Sequence, residues 1–279
     1  MNMLSRFNVN AVMLIAMPRS GEEGVPNRIG DHIAGLSETH GFPFEKFLPR
    51  SAAEFASVLD EILIHCQSGM RPVIQLDCHG SASLGLEVGA SGEFVSWSTI
   101  ANLLRPINQC TGNNLVVIMS ACHAFEAIGV FTITKHVPYY LLYAPEGIIY
   151  EREIELAAIA FYDSLVIRKD FDEMHGAMVG PFRLFHCERV FLLSFARYVK
   201  YECAGRGKKA RIERLLSEAL KMPGIENTIE NRRKFRGMIK ARLRPTEETV
   251  QRFGKIFLGK RDFCASLTEI EAFIASDCA

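Results

Sequence analysis

Long apolar runs are missing from this chain. The nearest candidate for a membrane span, residues 115–134, is interrupted by His123 and Glu126 and divides into a strand-like and a helix-like half. No secretory leader is legible either. Arg6 precedes a short apolar stretch at 11–17, but Asn8 and Asn10 interrupt the approach and no small-x-small cleavage site follows, so a first core strand is expected there. Cysteine is too sparse for a disulfide framework: there are 8 in 279 residues, and several, such as Cys187 and Cys203, sit inside apolar runs. The thiols are expected to be reduced, and the protein soluble and cytoplasmic.

Net charge is also absent, with 32 Lys/Arg balancing 32 Asp/Glu, but the balance hides an asymmetry. Residues 1–182 hold 11 basic against 20 acidic side chains, residues 183–261 hold 21 against 8, and residues 262–279 hold none against 4. A core is affordable for a chain of this length at 48% hydrophobic residues, so one domain (1–180) with a basic helical extension (181–279) is expected.

Strand patterns alternate with helix patterns over the first part, which predicts an α/β fold with a mostly parallel sheet. Strands are expected at 12–16, 44–48, 73–76, 115–119 and 139–143, with helices at 29–39, 52–66, 97–109, 151–166 and 172–178. Ser51 and Glu54 form a capping box ahead of Phe55, Leu59, Ile62 and Leu63, which share one helical face. Residues 80–92, rich in glycine and serine, predict a loop with a small hairpin. Beyond Gly180 the spacing predicts helices at 190–199, 212–220, 229–243 and 250–258. Ser266 and Glu269 cap a last one.

Two segments carry the chemistry. Ile74–Gly80 (IQLDCHG) and Leu115–Ala124 (LVVIMSACHA) each lead an apolar strand into a reactive pair, His79 with Gly80 and Ala121 with Cys122. A thiol needs an imidazole or a helix N-terminus to become a useful nucleophile at neutral pH, and Cys122 is placed for both, because residues 124–128 can open a helix. Gly80, without a side chain, lets its N–H approach a substrate carbonyl, so Gly80 and Cys122 N–H can form an oxyanion hole. Acyl transfer is the chemistry this predicts.

These residues resemble the caspase-like peptidases of clan CD, and among them the CHAT domains. The likeness lies in the strand ending in His79-Gly80, the strand ending in Ser120-Ala121-Cys122, and a weaker match at 160–165 and 171–174; it covers roughly residues 10 to 180. The resemblance implies a caspase-like three-layer sandwich in which Cys122 is the nucleophile and His79 the general acid and base of a cysteine endopeptidase with no metal and no cofactor. It also implies a prokaryotic antiviral defence setting, in which a protein substrate is cut to activate it. Substrate-binding positions are Ser120 and Asp77, with Glu126 a further nearby carboxylate. Ser120 is the position that, when acidic, selects basic substrates in this family; being neutral, it gives no preference.

Several other readings compete. The pairs Cys78-His79, Cys122-His123 and His186-Cys187 invite a zinc site, but adjacent residues on an extended chain point opposite ways and the usual two-residue spacer is missing. His123 is expected to sit in the turn rather than act as the base. Gly205 to Lys209 reads as a flexible basic loop without phosphate-loop spacing. Arg232, Arg233, Lys234, Arg236, Lys240, Arg242 and Arg244 suit a regulatory protein partner, a homo-oligomeric contact or the acidic domain of the same chain. Nucleic acid is less favoured, because few aromatics interleave them. The alternative to an enzyme is a catalytically inactive caspase-like module that binds through these helices.

Overall fold

The computed structural model describes residues 7–130, 132–243, 245–263 and 265–276, so Arg6 and Arg244 lie outside the described residues. The chain divides into two compact units, one running up to Cys187 together with Leu258–Arg261, the other comprising Glu188–Phe257 and the stretch from Asp262 onward.

The first unit is α/β. Its elements in order are β1 (Ala11–Met17), α1 (Gly24–His40), β2 (Phe44–Phe47), α2 (Ala52–Gln67), β3 (Pro72–Cys78), β4 (Gly80–Ser81), β5 (Gly85–Val88), β6 (Glu93–Val95), α3 (Trp97–Cys110), β7 (Val116–Ser120), β8 (Leu141–Ala144), α4 (Glu151–Asp163), α5 (Phe171–Met178) and β9 (Arg183–His186). A 3₁₀ segment, Ala124–Val130, follows β7, and a π turn, Ser164–Arg168, follows α4. The main sheet runs β2-β1-β3-β7-β8-β9, parallel throughout except for β9 against β8. β4, β5 and β6 form a small antiparallel sheet.

Local chemistry explains these elements. β1 is buried along its whole length, as an unbroken apolar run in the middle of a parallel sheet must be. Ser51 Oγ accepts the Glu54 N–H at 3.1 Å and starts α2, which buries Phe55, Leu59, Ile62 and Cys66 on one face. α1 begins at Gly24, earlier than periodicity suggested, because Pro26 falls in the first turn, where a missing N–H leaves no hydrogen bond unmade. The chain moves from β1 to one side and from β2 back across to β3. Right-handed crossovers therefore put α1 and α2 on opposite faces, and α1 pairs with α4 while α2 pairs with α3. The helix expected over 151–166 ends at Asp163 and passes through the π turn to Lys169, which adopts left-handed φ 52°.

β9 lies beyond Gly180, where only helices were expected. Its four residues pair with β8 as Leu141 with His186 through Ala144 with Arg183. A strand this short has too few residues for its alternation to register as a pattern.

The second unit contains α6 (Cys187–Glu202), whose first residue belongs to the other unit, α7 (Gly205–Ala219), α8 (Ile229–Arg242), α9 (Glu247–Leu258) and α10 (Leu267–Ser276). Phe191 gathers Phe195, Phe257 and Phe263, with ring centroids 5.8, 5.9 and 4.7 Å away. Gly205 to Lys209 is not a loop: it forms the first turn of α7. The corner is tight, since a Cβ on Gly207 would lie 1.6 Å from the Tyr201 carbonyl oxygen, so glycine there serves the close approach of two helices. Ser266 Oγ accepts the Glu269 N–H at 3.2 Å while the Glu269 carboxylate accepts the Ser266 N–H at 2.8 Å, the reciprocal cap expected for α10. Among the described residues, no helix is long and apolar enough to cross a membrane.

Candidate active site

The strand order reverses between β1 and β3, and in open α/β sheets such a reversal leaves a crevice at the carboxyl ends of the strands. A cleft of about 90 Å³ opens there. It is lined by Pro18 and Glu22 after β1, Asp77 to His79 at the end of β3, Ser120 to Cys122 at the end of β7, and Ile149 and Glu151 after β8. A larger cavity of about 680 Å³ lies by Val9 and Asn114, which precede β1 and β7, and has neither thiol nor imidazole in its lining.

Register brings the expected pair together. β3 and β7 are parallel neighbours, with Val73 opposite Val116 through Asp77 opposite Ser120. His79 and Cys122, themselves 43 residues apart, each lie two residues beyond the last pair of that ladder. Both line the cleft, each partly exposed. The Cys122 thiol donates to the Ile149 carbonyl oxygen at 3.9 Å.

Gly80 lies against the backbone of Cys122. A Cβ built on it would fall 2.2 Å from the Cys122 carbonyl oxygen, so only glycine permits this approach. The Glu87 N–H donates to the His79 carbonyl oxygen at 3.0 Å, which makes Gly80 and Leu86 a non-hydrogen-bonded pair, and the β4–β5 ladder therefore does not use the Gly80 N–H. Among the described residues, the Cys122 N–H donates to no protein group. The turn holding it is fixed instead by His123 N–H donating to the Gly147 oxygen and Phe125 N–H to the Pro145 oxygen, both at 2.9 Å. His123 takes the left-handed φ of 59° that this turn needs and is not part of the cleft lining.

Glu22 is the site residue the sequence did not disclose. Its Oε2 lies 2.6 Å from His79 Nε2, and that hydrogen bond, ahead of the desolvation that opposes it, holds the Glu22 carboxyl below the usual carboxylate range. Nearby, Arg19 grips Glu87 of β5 with Nε and Nη2 at 2.8 and 2.6 Å, so the loop after β1 is tied both to the hairpin and to the imidazole. The only sequence signal was an acidic, glycine-bounded loop directly after the strand at the switch point.

Ser120 and Asp77 face each other one pleat below the pair. Ser120 is 1% exposed, and its hydroxyl accepts Gln75 Nε2 at 3.4 Å, while Gln75 Oε1 accepts the Tyr162 hydroxyl at 2.9 Å. Asp77 is 9% exposed and its Oδ2 has no partner among the described residues. Burial pushes its carboxyl from the usual 3.8 up to about 7, Glu151 adds repulsion, and Lys46 and His79 partly offset both. A carboxyl raised in the fold binds its proton more tightly there than in the unfolded chain, so its contribution to stability falls as pH rises from about 4 to about 7. Asp77→Asn is therefore expected to raise the unfolding temperature at pH 8 by about 5 °C, and by less at pH 5, in paired thermal melts. An equal gain at both pH values would contradict this.

One other expectation needs correction: Glu126 is exposed and lies outside the cleft. A helix does follow Cys122, and it is a 3₁₀ helix of seven residues, Ala124–Val130. Among the described residues, no group of three or more His, Cys, Asp or Glu side chains is arranged to hold a metal ion. No protein-family model matches the chain, and none of the curated proteins matches it.

Proposed function

We propose that this chain is a cysteine endopeptidase of the caspase-like CHAT type. The observation that carries the proposal is the cleft at the ends of the parallel neighbours β3 and β7, whose lining includes both His79 and Cys122, with Glu22 on the imidazole. In the proposed reaction the Cys122 sulfur attacks the scissile carbonyl carbon and its proton passes to His79. The Gly80 and Cys122 N–H groups take the developing oxyanion. Collapse of the tetrahedral intermediate breaks the C–N bond, with His79 giving the proton to the leaving amine. Water, deprotonated by His79, then hydrolyses the thioester and restores the thiol. No cofactor enters this scheme. An α/β unit with a mostly parallel sheet supports the resemblance, which in turn suggests a cytoplasmic effector of prokaryotic antiviral defence acting on a protein substrate.

Glu22 acts in this scheme as a positioning residue, fixing which imidazole nitrogen faces the thiol. The pair is partly exposed, at 42% for the His79 side chain and 39% for Glu22, so its electrostatic share is screened. Glu22→Gln is expected to lower kcat by about 10-fold with KM little changed. A rise in KM at constant kcat would instead place Glu22 in substrate binding.

A second reading rests on α8, which buries no residue and exposes Arg232, Arg233, Lys234, Lys240 and Arg242, while Arg236 is held by Glu213 of α7 at 3.0 and 2.9 Å. A helix that buries no residue leaves charges of this density to solvent or to an outside partner. We assign it to an acidic protein partner or a second copy of the chain; in a catalytically inactive module this would be the whole function. Mapping new protein N-termini after incubating a proteome with wild type and with Cys122→Ala separates the two. Cleavages confined to wild type support the peptidase; identical maps leave only the binding module.

A further inference from the structure

We infer that the floor of the cleft is a subsite for a lysine or arginine side chain, carried by the substrate residue whose carbonyl Cys122 attacks, with Asp77 as the group that receives the cation. The inference rests on Cys122 being the nucleophile. Asp77 and Ser120 stand opposite each other two residues before His79 and Cys122, and two residues of strand span about 6.6 Å. That depth matches the reach of an extended lysine or arginine side chain hanging from the attacked residue.

The chemistry of the lining points the same way. Asp77 Oδ2 is buried without a partner, and a buried carboxylate in that state is costly until a cation or a proton reaches it. Glu151 stands at the first turn of α4 on the same cleft, Glu22 is occupied by His79, and neither lysine nor arginine is among the lining residues. Pro18, Val25, Ile149 and Ile154 supply apolar walls, which suit the methylene stem of a long basic side chain. Burial raises the affinity of Asp77 for a proton, and the charges of Lys46 and His79 offset this only in part.

This gives the site a preference that Ser120 alone does not. The serine hydroxyl is taken up by Gln75, and the acid beside it in the cleft lining comes from the neighbouring strand at the matching register position. An acidic substrate side chain would meet two carboxylates, and leucine would leave Asp77 buried and unpaired.

The test is kcat/KM for tetrapeptide fluorogenic substrates that differ only in the residue on the acyl side of the scissile bond, with lysine, arginine, leucine and aspartate compared on the full chain. Lysine or arginine is expected to exceed leucine by about 50-fold, with aspartate lowest. In Asp77→Asn that ratio is expected to fall by about 10-fold, and in Glu151→Gln, an exposed position where folding is not at issue, by about 3-fold. Hydrolysis that depends on Cys122 but prefers leucine or aspartate, or a ratio unmoved by either substitution, overturns the subsite while leaving the peptidase standing. Failure to cleave any member of a library varied at that residue overturns the peptidase reading itself, and the subsite with it.

Discussion

Replacing Cys122 by alanine is expected to lower peptide hydrolysis by about 10⁴-fold or more while moving the unfolding temperature by less than about 2 °C. Two features set this separation of activity from stability. The thiol is the only group in the proposed reaction that forms a covalent bond with substrate, so nothing else in the cleft replaces it. Its structural ties are slight, since it is partly exposed and makes one long hydrogen bond, 3.9 Å, to the Ile149 oxygen. The turn that holds it is fixed through the backbone of His123 and Phe125 instead. Initial rates and thermal melts of the same preparation check both halves. Residual hydrolysis near the wild-type rate would remove Cys122 from the chemistry.

Gly80→Ala is expected to have the largest effect on stability among the site residues, a loss of about 3 kcal/mol together with about a 100-fold loss of activity. The added methyl would sit 2.2 Å from the Cys122 carbonyl oxygen and 3.1 Å from the Ala121 Cβ. Neither side can yield cheaply. Gly80 is held by its pairing with Leu86 and by the Glu87 N–H on the preceding carbonyl, and Cys122 is flanked by hydrogen bonds to the loop at Pro145 and Gly147. Relief of the clash must push the chain after β3 away from the chain after β7, next to His79 and Cys122, so the proposed catalysis is expected to suffer with the fold. Gly35→Ala in α1, where an added Cβ meets nothing within 4 Å, is the control and is expected to be neutral or slightly stabilising. Urea unfolding of the two variants makes the comparison; equal stabilities would show that the strand ends are not closely apposed.

What the sequence disclosed follows from how far each signal travels along the chain. The motif strands were legible because each is an apolar run with a polar end, and the constant offset of 43 between His79 and Cys122 proved to be the register of β3 on β7. The α2 cap was legible for the same local reason. Glu22 was not, because its bond to His79 joins residues 57 apart and nothing near either one announces it. Asp77 was expected among the substrate-binding positions, but its burial and unpartnered oxygen are not revealed by a strand pattern. Gly205 to Lys209 misled because glycine disfavours helix interiors, whereas the corner at Tyr201 demands one at Gly207. β9 escaped because four residues settle no period.

His79 and Cys122 are proposed to work as one unit in the cleft at the carboxyl ends of the strands. Mapping the adducts of a peptidyl acyloxymethyl ketone on the folded chain by mass spectrometry tests it most directly. Such a reagent alkylates a thiol quickly only when the peptide is bound and an imidazole assists. Modification is predicted at Cys122 ahead of Cys110, the exposed free cysteine among the described residues, and the rate at Cys122 is predicted to fall sharply in His79→Ala. Labelling that follows exposure, with Cys110 first and Cys122 indifferent to His79, would contradict it.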